Sequence, residues 1–219
     1  MTQPKEYKIF IAVPSMDFVA AGFAQSLATL NKPAGHVAVS FICGSLIYDA
    51  RNKLAAQAIK AEADYVMWFD SDMVFSGDTL LKLLKDIEEG DADIASGLYF
   101  RRSAPYTPVA FQDLEIENDT AKWTDYEGEL TGIHEVGGVG FGCVLMKADV
   151  LFEVFSKFGN CFSPIASLGE DLSFCWRARQ LGYKVMLDTD VKCGHIGHVT
   201  VTESLYRAVS GGKANESKG

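Results

Sequence analysis

Short apolar segments alternate with segments of helical periodicity over the first hundred residues, and this alternation constrains the fold more than any other feature. The apolar segments are rich in β-branched and aromatic residues, which is typical of buried strands. They cover residues 8–13, 36–43, 65–69 and 94–98. Three helices are predicted between them. The first covers residues 18–30, and the second covers residues 50–63, with Asp49 as its cap. The third begins at Ser76 or Asp78 and ends near Gly90. This order predicts an α/β fold with right-handed βαβ units and a mainly parallel central sheet flanked by helices.

The second half of the chain lacks this regular alternation. Prolines and acidic residues in segment 99–132 predict a hairpin or an irregular excursion. A strand over 141–146, helices over 148–158 and 170–182, and closing strands over 184–187 and 191–195 are predicted to follow. A length of 219 residues with 48% hydrophobic content predicts a single domain over residues 1–209. The small, polar residues 210–219 predict a disordered tail.

Charge and cysteine content exclude several classes of protein. A net charge of -9 argues against a general affinity for nucleic-acid backbones, which requires clustered Lys and Arg. The five scattered cysteines include no C-x-x-C pair, so we expect reduced thiols. The sequence shows neither a signal peptide nor 18 consecutive apolar residues, so we expect a soluble, cytoplasmic protein without a transmembrane segment.

Two carboxylates follow the apolar segment 65–69 directly, in the triplet Asp70-Ser71-Asp72. They are expected at the carboxyl end of a central strand, where open α/β sheets bind ligands. Their oxygens suit a hard cation such as Mn²⁺ or Mg²⁺, which in turn suits a diphosphate. The triplet alone is weak, because D-x-D also occurs in solvated turns. No G-x-G-x-x-G and no P-loop motif is present, so we expect a metal to hold the phosphates.

With its neighbours, the triplet makes the chain resemble a glycosyltransferase of the GT-A fold, similar to the large family 2. The resemblance covers about residues 8–200, and its short pieces, in chain order, are Val13-Pro14-Ser15, Asp49-Ala50-Arg51-Asn52, Asp70-Ser71-Asp72, segment 140–146, Gly169-Glu170-Asp171 and His195. It implies a metal-dependent, hexosyltransferase-like enzyme that moves a sugar from a UDP- or GDP-linked donor to an acceptor hydroxyl. Inversion is favoured, although retaining GT-A enzymes share the D-x-D motif.

The resemblance also implies a metal site. Asp72 would ligate the cation directly, and Asp70 would contact it through water or bind ribose hydroxyls of the donor. Ser71, the variable middle residue, would border the sugar nucleotide. His195 would be a third protein ligand, with His198 as a rival and a core or edge histidine as the alternative interpretation.

A general base is implied in the segment Gly169-Glu170-Asp171. Asp171 would take the acceptor proton, and Glu170 would bind the acceptor or a loop at the sugar-nucleotide site. Acidic residues in a first helical turn are also favoured by the helix macrodipole, so a purely structural role is the alternative for both.

The remaining donor contacts are implied at four positions. Pro14 and Ser15 would border the nucleobase, and Arg51 would reach the base or the phosphates, unless it is a solvated helix residue. Gly138 would let the backbone approach the sugar closely, unless it marks a bulge or tight turn. We expect the adjacent pair Arg101-Arg102 to be exposed surface residues rather than ligands of a diphosphate.

Three points stay open at this level. A sugar-phosphate nucleotidyltransferase is disfavoured because the first strand lacks a glycine-rich, basic loop, and a non-catalytic sugar-nucleotide-binding subunit is a further alternative. The acceptor is a glycan, a small molecule or a modified nucleobase of DNA. Trp123 is a weak candidate for the acceptor site, since aromatic rings stack on sugar faces.

Overall fold

The structure is a computed structural model that describes residues 5–197 and 202–203. The predicted tail, residues 210–219, lies outside this range. The helices and strands, in chain order, are β1 (Tyr7–Ser15), α1 (Ala21–Ala28), β2 (Gly35–Cys43), α2 (Ile47–Lys60), β3 (Tyr65–Phe69), β4 (Met73–Val74), α3 (Thr79–Glu88), β5 (Ile94–Leu98), β6 (Ala110–Glu117), β7 (Thr120–Asp125), β8 (Ile133–Glu135), β9 (Gly138–Val139), β10 (Cys143–Lys147), α4 (Ala148–Phe158), α5 (Glu170–Gln180), β11 (Val185–Lys192) and β12 (Gly194–His195).

A seven-stranded sheet in the order β2-β1-β3-β10-β5-β11-β8 forms the centre of the fold. Strand β1 pairs in parallel with β2 and β3, and β5 pairs in parallel with β11. Strand β10 is antiparallel to both β3 and β5, and β8 is antiparallel to β11. Five of the seven strands therefore run in one direction, and the sheet is mixed because β10, inserted between two of them, and the edge strand β8 run in the other. The predicted α/β class with helices around a central sheet is confirmed.

The sheet separates two apolar cores because successive side chains of a strand point to opposite faces. In β3, Val66 and Trp68 pack into the core that contains residues of α2, α4 and α5. Met67 and Phe69 pack into the other core, which contains residues of α1 and α3. Every residue of β3 is buried, as expected for a central strand covered on both faces.

Some element boundaries differ from those predicted. Helix α2 begins at Ile47, so Asp49 lies inside its first turn and pairs with Lys53 instead of capping the helix. The two predicted closing strands are one long strand, β11, with an irregular register, followed by the two-residue β12. The predicted excursion is a hairpin of β6 and β7 that forms a three-stranded sheet with β9. No helix in the described part of the chain has the length and apolar character needed to cross a membrane.

Candidate active site

A cleft of about 370 Å³ opens where β1 and β3 end. Residues from six separate stretches of the chain line it, because the carboxyl ends of neighbouring parallel strands meet at one edge of the sheet. Nine of the residues predicted from the sequence line this cleft: Pro14, Ser15, Arg51, Asp70, Ser71, Asp72, Glu170, Asp171 and His195. Residues up to 181 positions apart in sequence, Pro14 and His195, are thus brought to one cavity.

A tight turn and a short strand pair bring His195 to the acidic triplet. The Asp70 N–H donates to the Gly142 carbonyl at 3.1 Å, and the Met73 N–H donates back to the Asp70 carbonyl at 3.1 Å. Strand β4 then pairs with β12 in antiparallel fashion, with His195 opposite Met73. A further backbone hydrogen bond, from the N–H of Ile196 to the carbonyl of Asp72 at 2.9 Å, holds the residue after His195 against the triplet.

Asp72 lies between the side chains of Arg102 and His195. Its Oδ2 is 2.7 Å from Arg102 Nη1 and 3.5 Å from His195 Nε2. Partial burial acts to raise the pKa of Asp72, but its interactions with His195 and Arg102 outweigh burial, so the pKa is lowered. The interaction with Asp72 raises the pKa of His195 against the opposing effect of burial. Asp72 is therefore ionised at neutral pH.

The tautomer of His195 is set by the backbone. Its Nδ1 lies 2.9 Å from the Phe100 carbonyl, and since a carbonyl only accepts, Nδ1 carries a proton and donates. The Nε2 atom facing Asp72 must then either carry a second proton or offer its lone pair to a cation near the carboxylate. This arrangement, in which a backbone bond orients the ring, is common for metal-ligating histidines.

The donor atoms of Asp72 and His195 fit a divalent metal ion as a pair. Among the residues that the structure describes, no three His, Cys, Asp or Glu side chains are grouped closely enough to hold one. The Oδ1 of Asp70 accepts a hydrogen bond from Arg51 at 2.8 Å, as the Oδ2 of Asp72 accepts one from Arg102 at 2.7 Å. A Mg²⁺-like or Mn²⁺-like ion needs only one or two protein ligands when substrate phosphates and water supply the rest. The rival ligand His198 lies outside the described residues.

Arg51 joins the triplet to the start of α5. Its side chain is only 2% exposed, and it donates from Nη2 to Asp70 and from Nε to Glu170, the latter at 3.2 Å. Burial acts to lower its pKa, but the charges of the neighbouring carboxylates outweigh burial and raise it. Arg51 also lies over the rings of Trp68 and Phe141, at 5.7 and 5.4 Å. Arg51 thus holds two carboxylates while it also lines the cleft, and its contact with the base or the phosphates of the donor stays a prediction.

Asp171 lies in the first turn of α5, after the extended residue Gly169. Its Oδ1 accepts the N–H of Leu172 at 2.7 Å. Burial raises the pKa of Asp171 to about 6, with a further contribution from the charge of Glu170, while Arg51 opposes the rise. A carboxylate with such a pKa is ionised at neutral pH and is still a better proton acceptor than an ordinary aspartate.

Gly138 is not part of the cleft. It lies buried in β9, where an added Cβ would come within 2.9 Å of Leu172 Cδ2 and 3.2 Å of Leu114 Cδ2. The glycine at this position is explained by the packing of β9 against α5 rather than by the approach of a sugar.

Sequence reasoning missed the part that two residues play: Arg102 in the cleft and Tyr99 behind His195. Arg102 is exposed, as expected, but it also lines the cleft and contacts Asp72. Tyr99 is buried, accepts the N–H of Gly142 at 3.1 Å and packs edge-on against the ring of His195. The signal for both was their position within four residues after β5, which ends at the same edge of the sheet as the triplet.

Together, the mixed α/β sheet, the carboxylates beyond its central strand and the acidic first turn of α5 define a glycosyltransferase of the GT-A fold. The family model for glycosyl transferase family 2 matches residues 46–155, half of the chain. The chain therefore belongs to glycosyl transferase family 2, and the family 2-like GT-A fold predicted from the sequence is confirmed. No curated protein sequence matched the chain.

Two solved structures illustrate the likeness in fold. The crystal structure of A197 from STIV is 16% identical with a TM-score of 0.60, over 90% of this chain and 97% of that chain. The crystal structure of GalNAc-T7 with UDP, GalNAc and Mn²⁺ is 11% identical with a TM-score of 0.60. That match covers 88% of this chain but 44% of the GalNAc-T7 chain. At these identities the likeness shows the fold alone.

Proposed function

We propose that this protein transfers a sugar from a nucleoside diphosphate sugar to an acceptor hydroxyl, with Mn²⁺ or Mg²⁺ as cofactor. The observation that carries the proposal is that one cleft contains both a pair of side chains suited to bind a metal ion and a carboxylate suited to accept a proton. The first is the Asp72 and His195 pair, suited to a metal ion, and the second is Asp171, suited to accept a proton. The neighbour GalNAc-T7, solved with UDP, GalNAc and Mn²⁺, supports this choice of donor and cofactor.

Asp72 and His195 would hold the metal ion at the donor side of the cleft. When bound, the metal supplies a Lewis acid that stabilises the charge growing on the leaving diphosphate. Arg102 lies beside the same carboxylate and adds a second positive charge for phosphate oxygens. Pro14, Ser15 and Ser71 would border the rest of the sugar nucleotide.

Asp171 would act as the general base of an inverting reaction. It would take the proton of the acceptor hydroxyl as that oxygen attacks the anomeric carbon from the side opposite the diphosphate. The Leu172 N–H holds one oxygen of Asp171 and leaves the other for the acceptor. Glu170 would be fixed by Arg51 and contribute to the pKa of Asp171 rather than accept the proton itself.

A modified DNA base is the least favoured acceptor. Between residues 112 and 129, which form the hairpin and its exit, seven residues are acidic and one is basic. A polyanion would be repelled from this side of the molecule. Family membership likewise favours glycosyl transfer over nucleotidyl transfer.

The test is release of nucleoside diphosphate from a panel of UDP- and GDP-sugars, with Mn²⁺ or with EDTA. We expect turnover that EDTA abolishes, and a loss of at least about 100-fold in Asp171→Asn with donor binding kept. Asp91→Asn, an exposed aspartate before β5, is the matched control and should turn over normally. No release and no metal-dependent donor binding with any sugar nucleotide would refute the proposal, whereas donor binding without turnover would favour the non-catalytic subunit.

A further inference from the structure

An open groove of about 790 Å³ runs along the β6–β7 hairpin, outside the cleft described above. It is lined by Gln112, Trp123, Thr124, Asp125, Glu127 and Gly128, and it is called the hairpin groove below. We infer that the hairpin groove is a carbohydrate-binding subsite, with Trp123 as the ring on which a sugar stacks. The inference rests on the proposed function in one respect, namely that the bound carbohydrate is the acceptor.

Trp123 is exposed in a way that the other two tryptophans are not. Its side chain is 47% exposed, whereas Trp68 is fully buried and Trp176 is partly buried against the core. Trp123 and Thr124 also line a smaller hollow of about 100 Å³, so the indole borders open space in two directions. An amphipathic ring at a groove is suited to a ligand with apolar faces and polar edges, which describes a pyranose.

The polar residues of the groove match the edges of such a ligand. Gln112 offers both an amide donor and a carbonyl acceptor, and Glu127 offers carboxylate acceptors for hydroxyl groups. Asp125 is fixed in place, because its Oδ1 accepts a hydrogen bond from Arg101 at 3.0 Å. A fixed acceptor beside an exposed aromatic ring favours an oriented sugar over non-specific apolar contact.

The same contact links the hairpin groove to the cleft. Arg101 pairs with Asp125 at the groove, and the next residue, Arg102, pairs with Asp72 in the cleft. Arg101, which pairs with a lining residue of the groove, is therefore the chain neighbour of Arg102, which lines the proposed donor site. Because of this connection, we assign the carbohydrate on Trp123 as the acceptor.

The negative charge of segment 112–129 limits which carbohydrates the hairpin groove can bind. The single basic residue of segment 112–129, Lys122, is already paired with Glu117 at 2.6 Å. Sulfated or uronic-acid chains would meet uncompensated carboxylates, whereas neutral and amino sugars would not. The ligand of the hairpin groove is therefore a neutral or amino-bearing oligosaccharide.

Calorimetric titration with short oligosaccharides tests the inference without any need for catalysis. The probes are tetrasaccharides of glucose, mannose, N-acetylglucosamine and glucosamine, at up to millimolar concentration. A heparin tetrasaccharide serves as the anionic probe. We expect at least one neutral or amino-bearing probe to bind, with Trp123→Ala weakening it by about tenfold or more. Trp123→Phe, which keeps an aromatic face, should restore most of the affinity.

Phe155→Ala is the matched control, because Phe155 is 52% exposed on α4 and lies outside the groove. It should bind as the unmodified protein does, and the thermal midpoints of all variants report that they fold. Binding by no probe, equal binding by Trp123→Ala, or preference for the heparin probe would overturn the inference. Donor turnover by the unmodified protein reports on the proposed function separately, so turnover without oligosaccharide binding refutes the subsite alone.

Discussion

Replacing Asp171 by Asn should raise the stability of the protein while abolishing its activity. The pKa of Asp171 is raised from 3.8 to about 6, so the fold disfavours the ionised carboxylate. At pH 7.5 both the folded and unfolded chains carry this charge, and the shift of about two units corresponds to a cost of about 3 kcal/mol. Asn has no charge, and its side-chain oxygen can still accept the Leu172 N–H. Asp171→Asn should therefore unfold with a free energy larger by up to about 3 kcal/mol.

The pH dependence of this gain has a definite sign. Because the folded pKa lies above the unfolded one, the folded state takes up a proton as pH falls through about 6, before the unfolded state does. The cost in the unmodified protein therefore shrinks with falling pH and vanishes below 3.8. At pH 5, the advantage of Asn should be about half its value at pH 7.5.

Urea unfolding at both pH values, in EDTA and followed by circular dichroism, measures these differences. Asp91→Asn serves as the control and should stay within about 0.5 kcal/mol of the unmodified protein at either pH, because that side chain is exposed. An Asp171→Asn variant that is less stable at pH 7.5, or a gain that is equally large at pH 5, would refute the explanation by burial and the Glu170 charge.

Three further predictions concern the surroundings of Asp171. Arg51→Met should lower the free energy of unfolding in urea titrations, by less than the about 3–5 kcal/mol of a fully buried pair, because the two carboxylates that lose their partner are partly exposed. His195→Ala should weaken Mn²⁺ binding by at least about tenfold in calorimetry. Since a proton competes with the metal for an imidazole whose pKa is raised, Mn²⁺ affinity should increase from about pH 6 to about pH 8 in the unmodified protein only. Of the five thiols, only Cys43 is exposed and should react rapidly with a thiol reagent in the native state.

Each of these predictions has an internal check. Arg51→Lys keeps the positive charge but cannot contact Asp70 and Glu170 at once as the guanidinium does. It should therefore recover only part of the stability that Arg51→Met loses. Equal Mn²⁺ affinity in His195→Ala would remove the imidazole from the metal site. Two or more rapidly reacting thiols would contradict the burial of the other four, of which Cys161 and Cys175 have pKa values raised to about 12 by burial.

The sequence predicted the parts of the site that depend on local pattern. Strand β3 and the Asp70-Ser71-Asp72 triplet were recognisable because five apolar residues are followed at once by carboxylates. The start of α5 was recognisable from its two acidic residues after glycine. Both local patterns coincide with strand or helix ends, and the topology brings such ends together.

Other features depend on contacts between distant segments and could not be predicted. The role of Arg51 follows from two carboxylates that are 19 and 119 positions away in the chain. Gly138 was expected at the sugar, but the need for glycine there comes from α5, a later helix. The insertion of β10 between β3 and β5 is likewise a property of the whole sheet and leaves no trace in the local pattern.

The pairing of β4 with β12 involves only two residues of each strand, apart from the seven-stranded sheet. So short a ladder contributes little free energy, and it can open while both cores stay intact. The imidazole of His195 would leave together with β12, so amide hydrogen exchange at this ladder should be fast in the apoprotein. A cation bound to both Asp72 and His195 would hold the ladder closed. The amide hydrogen exchange rate of the β4–β12 ladder would then report whether the metal is bound.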